Sequence, residues 1–211
     1  MSTSAKLRFV TFLTFVRFPL VLLFFAGAIV YTVPPYREPW LFITVFASLI
    51  LSAATDLFDG YFARRFKVVT AFGAHADPLM DKFFYLASLP LLVFATMRQG
   101  HTGHGVVLLV LTLLFLARDQ WVTFLRSIGA MYAVSGQADW SGKLRTAVNF
   151  PLICTIYYYQ EAPPAWQFVL PWMVYVFEAL GLALTVLSLF TYTRRYWPYL
   201  LRAASLNDER G

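Results

Sequence analysis

The amino-acid sequence predicts an all-α integral membrane protein with six transmembrane helices and both termini on the cytoplasmic side. Three observations predict it. The 211-residue chain is 59% hydrophobic and only 13% charged, where an average soluble domain is about 25% charged. Its mean hydropathy of +0.62 belongs to the membrane class. Six stretches approach the roughly 20 apolar residues that one helical crossing requires.

The first span is expected from Phe9 to Tyr31 and the second from Trp40 to Ala63. The third is expected from Ala74 to Met97, and the fourth from Gly105 to Gly129. The fifth is expected from Gly142 to Gln160 and the sixth from Trp166 to Tyr192. Pro34-Pro35, the stretch "RQGHTGHG" and Pro163-Pro164 punctuate one set of turns. The tyrosine run Tyr157 to Tyr159 reads as an anchor at the outer interface.

One set of helix ends carries Lys6, Arg8, Arg64, Arg65, Lys67, Lys143, Arg145, Arg194, Arg195, Arg202 and Arg210. The opposite set carries only Arg37 and Arg98. Lysine and arginine collect on cytoplasmic loops, so both termini and the loop "ARRFKVVT" are expected in the cytoplasm. The tail from about residue 193 to residue 211 is expected to lie in the inner interface as a short amphipathic segment. These basic ends account for the net charge of +6, so no nucleic-acid partner is expected. The single cysteine, Cys154, excludes an internal disulfide framework. No repeat or linker divides the chain. One membrane domain over residues 1–211 is expected, without a cleavable signal peptide.

Against this apolar background stand four aspartates: Asp56, Asp59, Asp77 and Asp81. Asp56 follows Trp40 by sixteen residues, about 24 Å along a helix. That distance brings it to the cytoplasmic end of the second span. Asp77 and Asp81 open the third span from the same side. Asp56 and Asp59 are three apart, and Asp77 and Asp81 are four apart, so each pair shares a helix face. Four carboxylates around one cavity repel one another. A divalent cation removes the repulsion, and an oxygen-only donor set suits a hard ion such as Mg²⁺. Four carboxylates can bridge two such ions, an arrangement suited to in-line displacement at phosphorus. Gly60 and Ala63 leave room for a ligand beside these residues, and Arg64 is placed to meet phosphate. A side chain at Gly73 would crowd a bound base. The bland reading of the aspartates, an ion-paired helix hairpin, has no use for these small residues.

The pattern Asp-x2-Asp-Gly-x2-Ala-Arg-x8-Gly-x3-Asp-x3-Asp resembles the signature of the CDP-alcohol phosphatidyltransferases. Asp56, Asp59, Gly60, Ala63, Arg64, Gly73, Asp77 and Asp81 match every fixed position. The resemblance implies a six-helix fold, usually homodimeric, that releases CMP from a CDP-linked lipid with Mg²⁺ or Mn²⁺. It implies that Asp56, Asp59 and Asp77 are metal ligands and that Asp81 is both ligand and general base. It also implies that Asp56, Asp59, Gly60, Ala63, Arg64 and Gly73 form the nucleotide and CDP-lipid site. The implied location is a bacterial inner membrane, with the active site facing the cytoplasm.

Intramembrane cations bear on the acceptor, because charge at membrane depth is a functional hypothesis by default. Arg118 and Arg126 in the fourth span, Lys143 and Arg145 at the start of the fifth and Arg17 in the first are expected near the level of the aspartates. Such a cluster suits an acceptor that carries a phosphate. Two stretches resemble the phosphatidylglycerophosphate synthases of that family: "LTFVRFP" and "ARDQWVTFLRSIGAMYAVSGQADWSGKLRT". The matches in the second are Arg118, Arg126, Gly142, Lys143 and Thr146. Asp119 stands where a Glu is usual, and Arg145 where a Lys is usual. The expected donor is CDP-diacylglycerol and the expected acceptor sn-glycerol 3-phosphate, with the protein embedded among membrane lipids. The bland alternative for Arg118 and Arg126 is pairing with Asp119 or with the four signature aspartates for packing. Within the family, cardiolipin synthesis from phosphatidylglycerol and inositol-phosphate transfer are the rivals. Outside it, a cation transporter would need repeated halves and discontinuous helices, and neither is visible. An inactive scaffold would have no need for four intact aspartates.

Overall fold

Apolar segments without water can satisfy their backbone groups only within helices or closed barrels, and this chain takes the first route. The computed structural model describes residues 3–66, 71–134 and 140–205; the side chains of residues 3, 4, 56, 57, 59, 60, 63, 64, 71–78, 81 and 143 lie outside the described residues. Its helices are α1 (Thr3–Tyr31), α2 (Pro39–Phe66), α3 (Ala71–Arg98), α4 (Thr102–Met131), α5 (Trp140–Glu161) and α6 (Pro171–Ser205), with a single 3₁₀ turn at Pro164–Trp166. Among the described residues there is no strand. Helices α1, α4 and α6 contain stretches long and apolar enough to cross a bilayer, and they mark the chain as a membrane protein.

Five of the six expected spans lie inside helices α1 to α5. The sixth differs at both ends. Its expected start at Trp166 falls in the 3₁₀ turn, and α6 begins only at Pro171. Two side chains hold the intervening segment off the helical path: Tyr158 donates to the Trp166 carbonyl at 2.6 Å and Gln167 to the Tyr159 carbonyl at 2.6 Å. Pro171 then supplies the first helical residue, where its missing N–H costs nothing. At the other end α6 continues through Pro198 to Ser205. The described part of the expected tail is therefore a continuation of α6.

Apolar side chains cover the outside as well as the core. Leu113 is 66% exposed and Phe190 62% exposed, while Ser52, Ser88 and Ser188 are each 0% exposed. Large apolar side chains face outward, as lipid solvation permits, and small polar ones sit between helices, where they let backbones approach. Their hydroxyls are satisfied locally. Ser48 donates to the Val45 carbonyl at 2.7 Å, Ser88 to Phe84 at 2.7 Å and Thr96 to Leu92 at 2.8 Å.

The chain divides into two compact units. The first comprises residues 1–108 and 153–170, the second residues 109–152 and 171–211. In the first, α1 packs against α2 and α3. Gly27 permits the close approach to α2, because a Cβ there would lie 2.7 Å from Val45 Cγ2. Phe24 meets Tyr157 edge-on at 5.2 Å, and Phe42 stacks on the same ring at 6.2 Å. Tyr157 is thus core, 1% exposed, and not the interfacial anchor that its place in a tyrosine run suggests. Glu161, itself 1% exposed, ties one end of this unit together. It accepts from Arg37 at 3.2 Å, from Arg98 at 3.4 Å and from Gln99 at 3.2 Å. Arg98 also donates to the Thr32 carbonyl at 2.9 Å, and the Tyr31 hydroxyl donates to the Glu161 carbonyl at 3.1 Å.

This network predicts a graded stability effect. Glu161→Gln leaves two guanidiniums facing a neutral amide and should destabilise the protein by about 1–3 kcal/mol. The full cost of breaking a buried pair is not expected, because the Arg37 and Arg98 side chains are 43% and 28% exposed. Arg37→Gln should cost less than half as much. Thermal melting in detergent distinguishes them, and identical melting of Glu161→Gln and the parent would refute the lock.

Candidate active site

The aspartate segment is carried on two consecutive helices of the first unit. Asp56, Asp59, Gly60, Ala63 and Arg64 lie in the last eleven residues of α2 (Pro39–Phe66), and Gly73, Asp77 and Asp81 lie in the first three turns of α3 (Ala71–Arg98). All eight positions are helical, and their side chains lie outside the described residues. The neighbouring residues show what steadies them. Phe58, Phe62 and Phe66 recur every four residues along one stripe of α2. Phe62 meets Phe9 of α1 edge-on at 5.3 Å and stacks with Phe66 at 5.4 Å, while Lys6 sits 5.5 Å over Phe66. On α3, Phe83 stacks with Phe18 of α1 at 4.8 Å. Both aspartate-bearing ends are therefore pinned to α1 by aromatic contacts. A helix turns about 100° per residue, so the backbone positions of Asp56, Asp59 and Ala63 fall in one register of α2.

The second unit holds most of the cations expected to meet an acceptor. Arg118, Asp119 and Arg126 come from α4, Arg145 from α5, and Ser188 and Tyr192 from α6. Arg118 donates to Asp119 Oδ1 at 2.9 Å, and Arg145 donates to the same oxygen. Arg118 also donates to Ser188 Oγ. Arg126 instead donates to the Tyr192 hydroxyl at 2.9 Å. The guanidiniums of Arg118 and Arg126 lie 5.1 Å and 5.3 Å from the Tyr192 ring centroid. Arg145 lies 5.7 Å over Phe115. Arg118, Arg145 and Tyr192 are 8%, 3% and 0% exposed. Three guanidiniums thus share one carboxylate and one phenol.

Gly142 belongs to this arrangement. A Cβ there would lie 3.1 Å from the Tyr192 hydroxyl and 3.6 Å from Arg118 Nη2, so the bare backbone makes room for both. Ser141, next to it, shares a 2.9 Å hydrogen bond with Thr191, which fixes the start of α5 against α6.

Of the expected acceptor residues, the structure brings together Arg118, Arg126 and Arg145. The Lys143 side chain lies outside the described residues. Arg17 is 2% exposed on α1 and belongs to the first unit. Arg118 pairs with Asp119, as the packing alternative expects; Arg126 donates to Tyr192, and the signature aspartates that the alternative also names have side chains outside the described residues. Two members were not foreseen: Ser188 and Tyr192. Their four-residue spacing on α6 is the only signal the sequence offers, and it is indistinguishable from ordinary helix packing.

The chain matches the family described as CDP-alcohol phosphatidyltransferase over residues 9–193. It belongs to that family. The match runs from α1 into α6 and takes in both units. Relatives are named CDP-diacylglycerol–glycerol-3-phosphate 3-phosphatidyltransferase. That of Pseudomonas fluorescens is 29% identical over 168 residues, covering 79% of this chain and 80% of the relative. That of Cereibacter sphaeroides is 33% identical over 109 residues, covering 50% of this chain and 47% of the relative. The Arabidopsis thaliana chloroplastic/mitochondrial form 1 is 28% identical over 175 residues, covering 79% of this chain and 57% of the relative. The chain therefore spans about half the length of the last two relatives and four-fifths of the first.

Proposed function

We propose that this chain transfers a phosphatidyl group from CDP-diacylglycerol to a hydroxyl of sn-glycerol 3-phosphate, releasing CMP and forming phosphatidylglycerophosphate. The family and the names of its relatives support the reaction type and the donor. The observation that carries the acceptor is the cluster of Arg118, Arg126 and Arg145, two of them on the Asp119 carboxylate and the third on the Tyr192 hydroxyl. Guanidiniums make charge-assisted hydrogen bonds to phosphate, and a phosphate monoester carries close to two negative charges near neutral pH, so the cluster favours an acceptor with that group. Phosphatidylglycerol, the acceptor in cardiolipin synthesis, has only a phosphodiester.

In this reading Asp56, Asp59, Asp77 and Asp81 would hold Mg²⁺ or Mn²⁺, two ions per site. The donor set is all carboxylate, which fits a hard divalent cation. Ions bound there would supply charge neutralisation for the diphosphate. Gly60, Ala63 and Gly73 leave space for the nucleotide, and Arg64 offers a guanidinium to its phosphates. Asp81 accepts the proton from the acceptor hydroxyl. The oxygen attacks the lipid-side phosphorus directly, the bond to the CMP oxygen breaks, and CMP departs with the electron pair. Arg118, Arg126, Arg145 and Lys143 hold the acceptor's phosphate, with Arg17 as a further candidate.

The same reading extends to topology. All six helices cross the inner membrane as one domain, both termini and the active site face the cytoplasm, and two chains form a homodimer. Basic residues gathered at one set of helix ends support the orientation. An impermeant thiol reagent applied to intact cells should not label a cysteine placed at Lys67, and labelling would invert the topology. Light scattering of the same purified variant should give twice the 24.1 kDa chain mass after the detergent is subtracted.

Activity should vanish on chelation and return with Mg²⁺ or Mn²⁺. Asn in place of Asp56, Asp59, Asp77 or Asp81 should lower CMP release at least about 100-fold, as expected when a proton acceptor or metal ligand is lost. Full CMP release by folded Asp81→Asn would remove that residue as the base.

A panel of acceptors tests the rest. Glycerol 3-phosphate should be used and free glycerol and phosphatidylglycerol should not. Arg118→Ala should raise the acceptor KM by about 10–100-fold, the value of one charge-assisted contact. The KM for CDP-diacylglycerol should hardly move. Use of phosphatidylglycerol without glycerol 3-phosphate would reassign the protein to cardiolipin synthesis.

A further inference from the structure

We infer that Tyr192, on α6, is a positioning residue that holds Arg118 and Arg126 in the geometry the acceptor phosphate requires. The inference rests on the proposed role of those arginines and adds a residue that carries no charge and has no place in the aspartate signature.

Two guanidiniums repel each other, and inside a membrane protein little water screens them. Left alone they would spread to separate partners. Here both lie within 5.3 Å of one ring centroid, and the ring is fully buried. Its negative π face attracts each cation without neutralising either. The hydroxyl then fixes one of them: Arg126 Nη2 donates to it at 2.9 Å. Asp119 restrains Arg118 from another side at 2.9 Å. A carboxylate at position 192 would cancel the charge an anion needs, and an aliphatic side chain would hold neither cation. A phenol adds no negative charge of its own while restricting where the two cations can go.

Three further observations fit this assignment. Gly142 leaves room beside the Tyr192 hydroxyl, since a Cβ there would lie 3.1 Å from it. The ring is seated among Val122, Leu125 and Tyr196, all buried, so its own orientation is set by packing. Tyr192 and Tyr196 lie nearly parallel, 6.5 Å apart with 3° between their planes. The cations are thus referred to a rigid base and not to a flexible side chain.

The experiment uses the full-length enzyme in lipid and measures both Michaelis constants for Tyr192→Phe, Tyr192→Leu, Arg126→Ala, Arg118→Ala and the double variant Tyr192→Phe/Arg126→Ala. Tyr192→Phe keeps the ring and removes the hydroxyl, and should raise the acceptor KM about 2–10-fold. Tyr192→Leu removes the ring as well, and should raise it at least about 10-fold. The KM for CDP-diacylglycerol and kcat should stay within about twofold for Tyr192→Phe, since neither contact is special to the transition state. In the double variant the Phe substitution should add nothing to Arg126→Ala, because both act through one contact. Parallel increases in both Michaelis constants would mark Tyr192 as merely structural. A normal acceptor KM in both Tyr192 variants, with Arg118→Ala raised, would overturn the positioning role and leave the acceptor reading intact. A normal acceptor KM in Arg118→Ala would overturn the acceptor reading and this inference with it. If Tyr192→Leu does not fold, Tyr192→Phe and the double variant still decide the question.

Discussion

In hydrocarbon a donor or acceptor without a partner has no water to turn to, at a cost of several kcal/mol per group, and most of this structure answers to that fact. It is why the described chain is helical nearly throughout. It is also why Ser48, Ser88 and Thr96 send their hydroxyls back to carbonyls three or four residues earlier. The same constraint governs the non-helical connection before α6. There the Tyr158 hydroxyl and the Gln167 amide donate to carbonyls that no helix satisfies. With these hydroxyls met locally, the helices are free to turn leucine and phenylalanine outward. Serines and glycines are kept for the seams, as at Gly27 beside Val45.

Charged groups obey the constraint in a sharper form. The two units meet it differently. Around Glu161 the anion is enclosed, and two arginines and a glutamine converge on it from separate segments. That arrangement holds helix ends together, and the glutamate's acceptors are occupied. Around Asp119 the arrangement differs: two arginines share one carboxylate, a third donates to Tyr192, and aromatic rings take up part of the burden. Both are arginine–carboxylate clusters in the same membrane protein, one closed around its anion and the other shared between a carboxylate and a phenol.

Much was legible in the sequence. The expected spans from Phe9 to Gln160 fall inside five helices because long apolar runs have one solution in lipid. The aspartate signature was legible because its residues are close in sequence and helix periodicity alone puts Asp56 with Asp59 and Asp77 with Asp81. Arg118 and Arg126 were recognisable as candidates because charge inside an apolar run needs a reason. These inferences depend on composition and on short-range spacing, and both are read directly from the chain.

Tertiary structure decided the rest, for a physical reason: side chains far apart in sequence meet only through helix packing. Apolarity alone marked Trp166 as the start of the sixth span, but hydrogen bonds from Tyr158 and Gln167 keep that segment out of the helix until Pro171. Tyr157 sits in a run that reads as interfacial, yet packing against Phe24 and Phe42 makes it core. Arg118 and Arg126 looked equally able to pair with Asp119, and only one does. The other reaches Tyr192, 66 residues away in the chain. The sequence by itself determined a helical membrane protein with a carboxylate signature and buried cations. Which cations share a partner, and that the partner of two of them is a phenol on α6, was decided by how α4 and α6 pack.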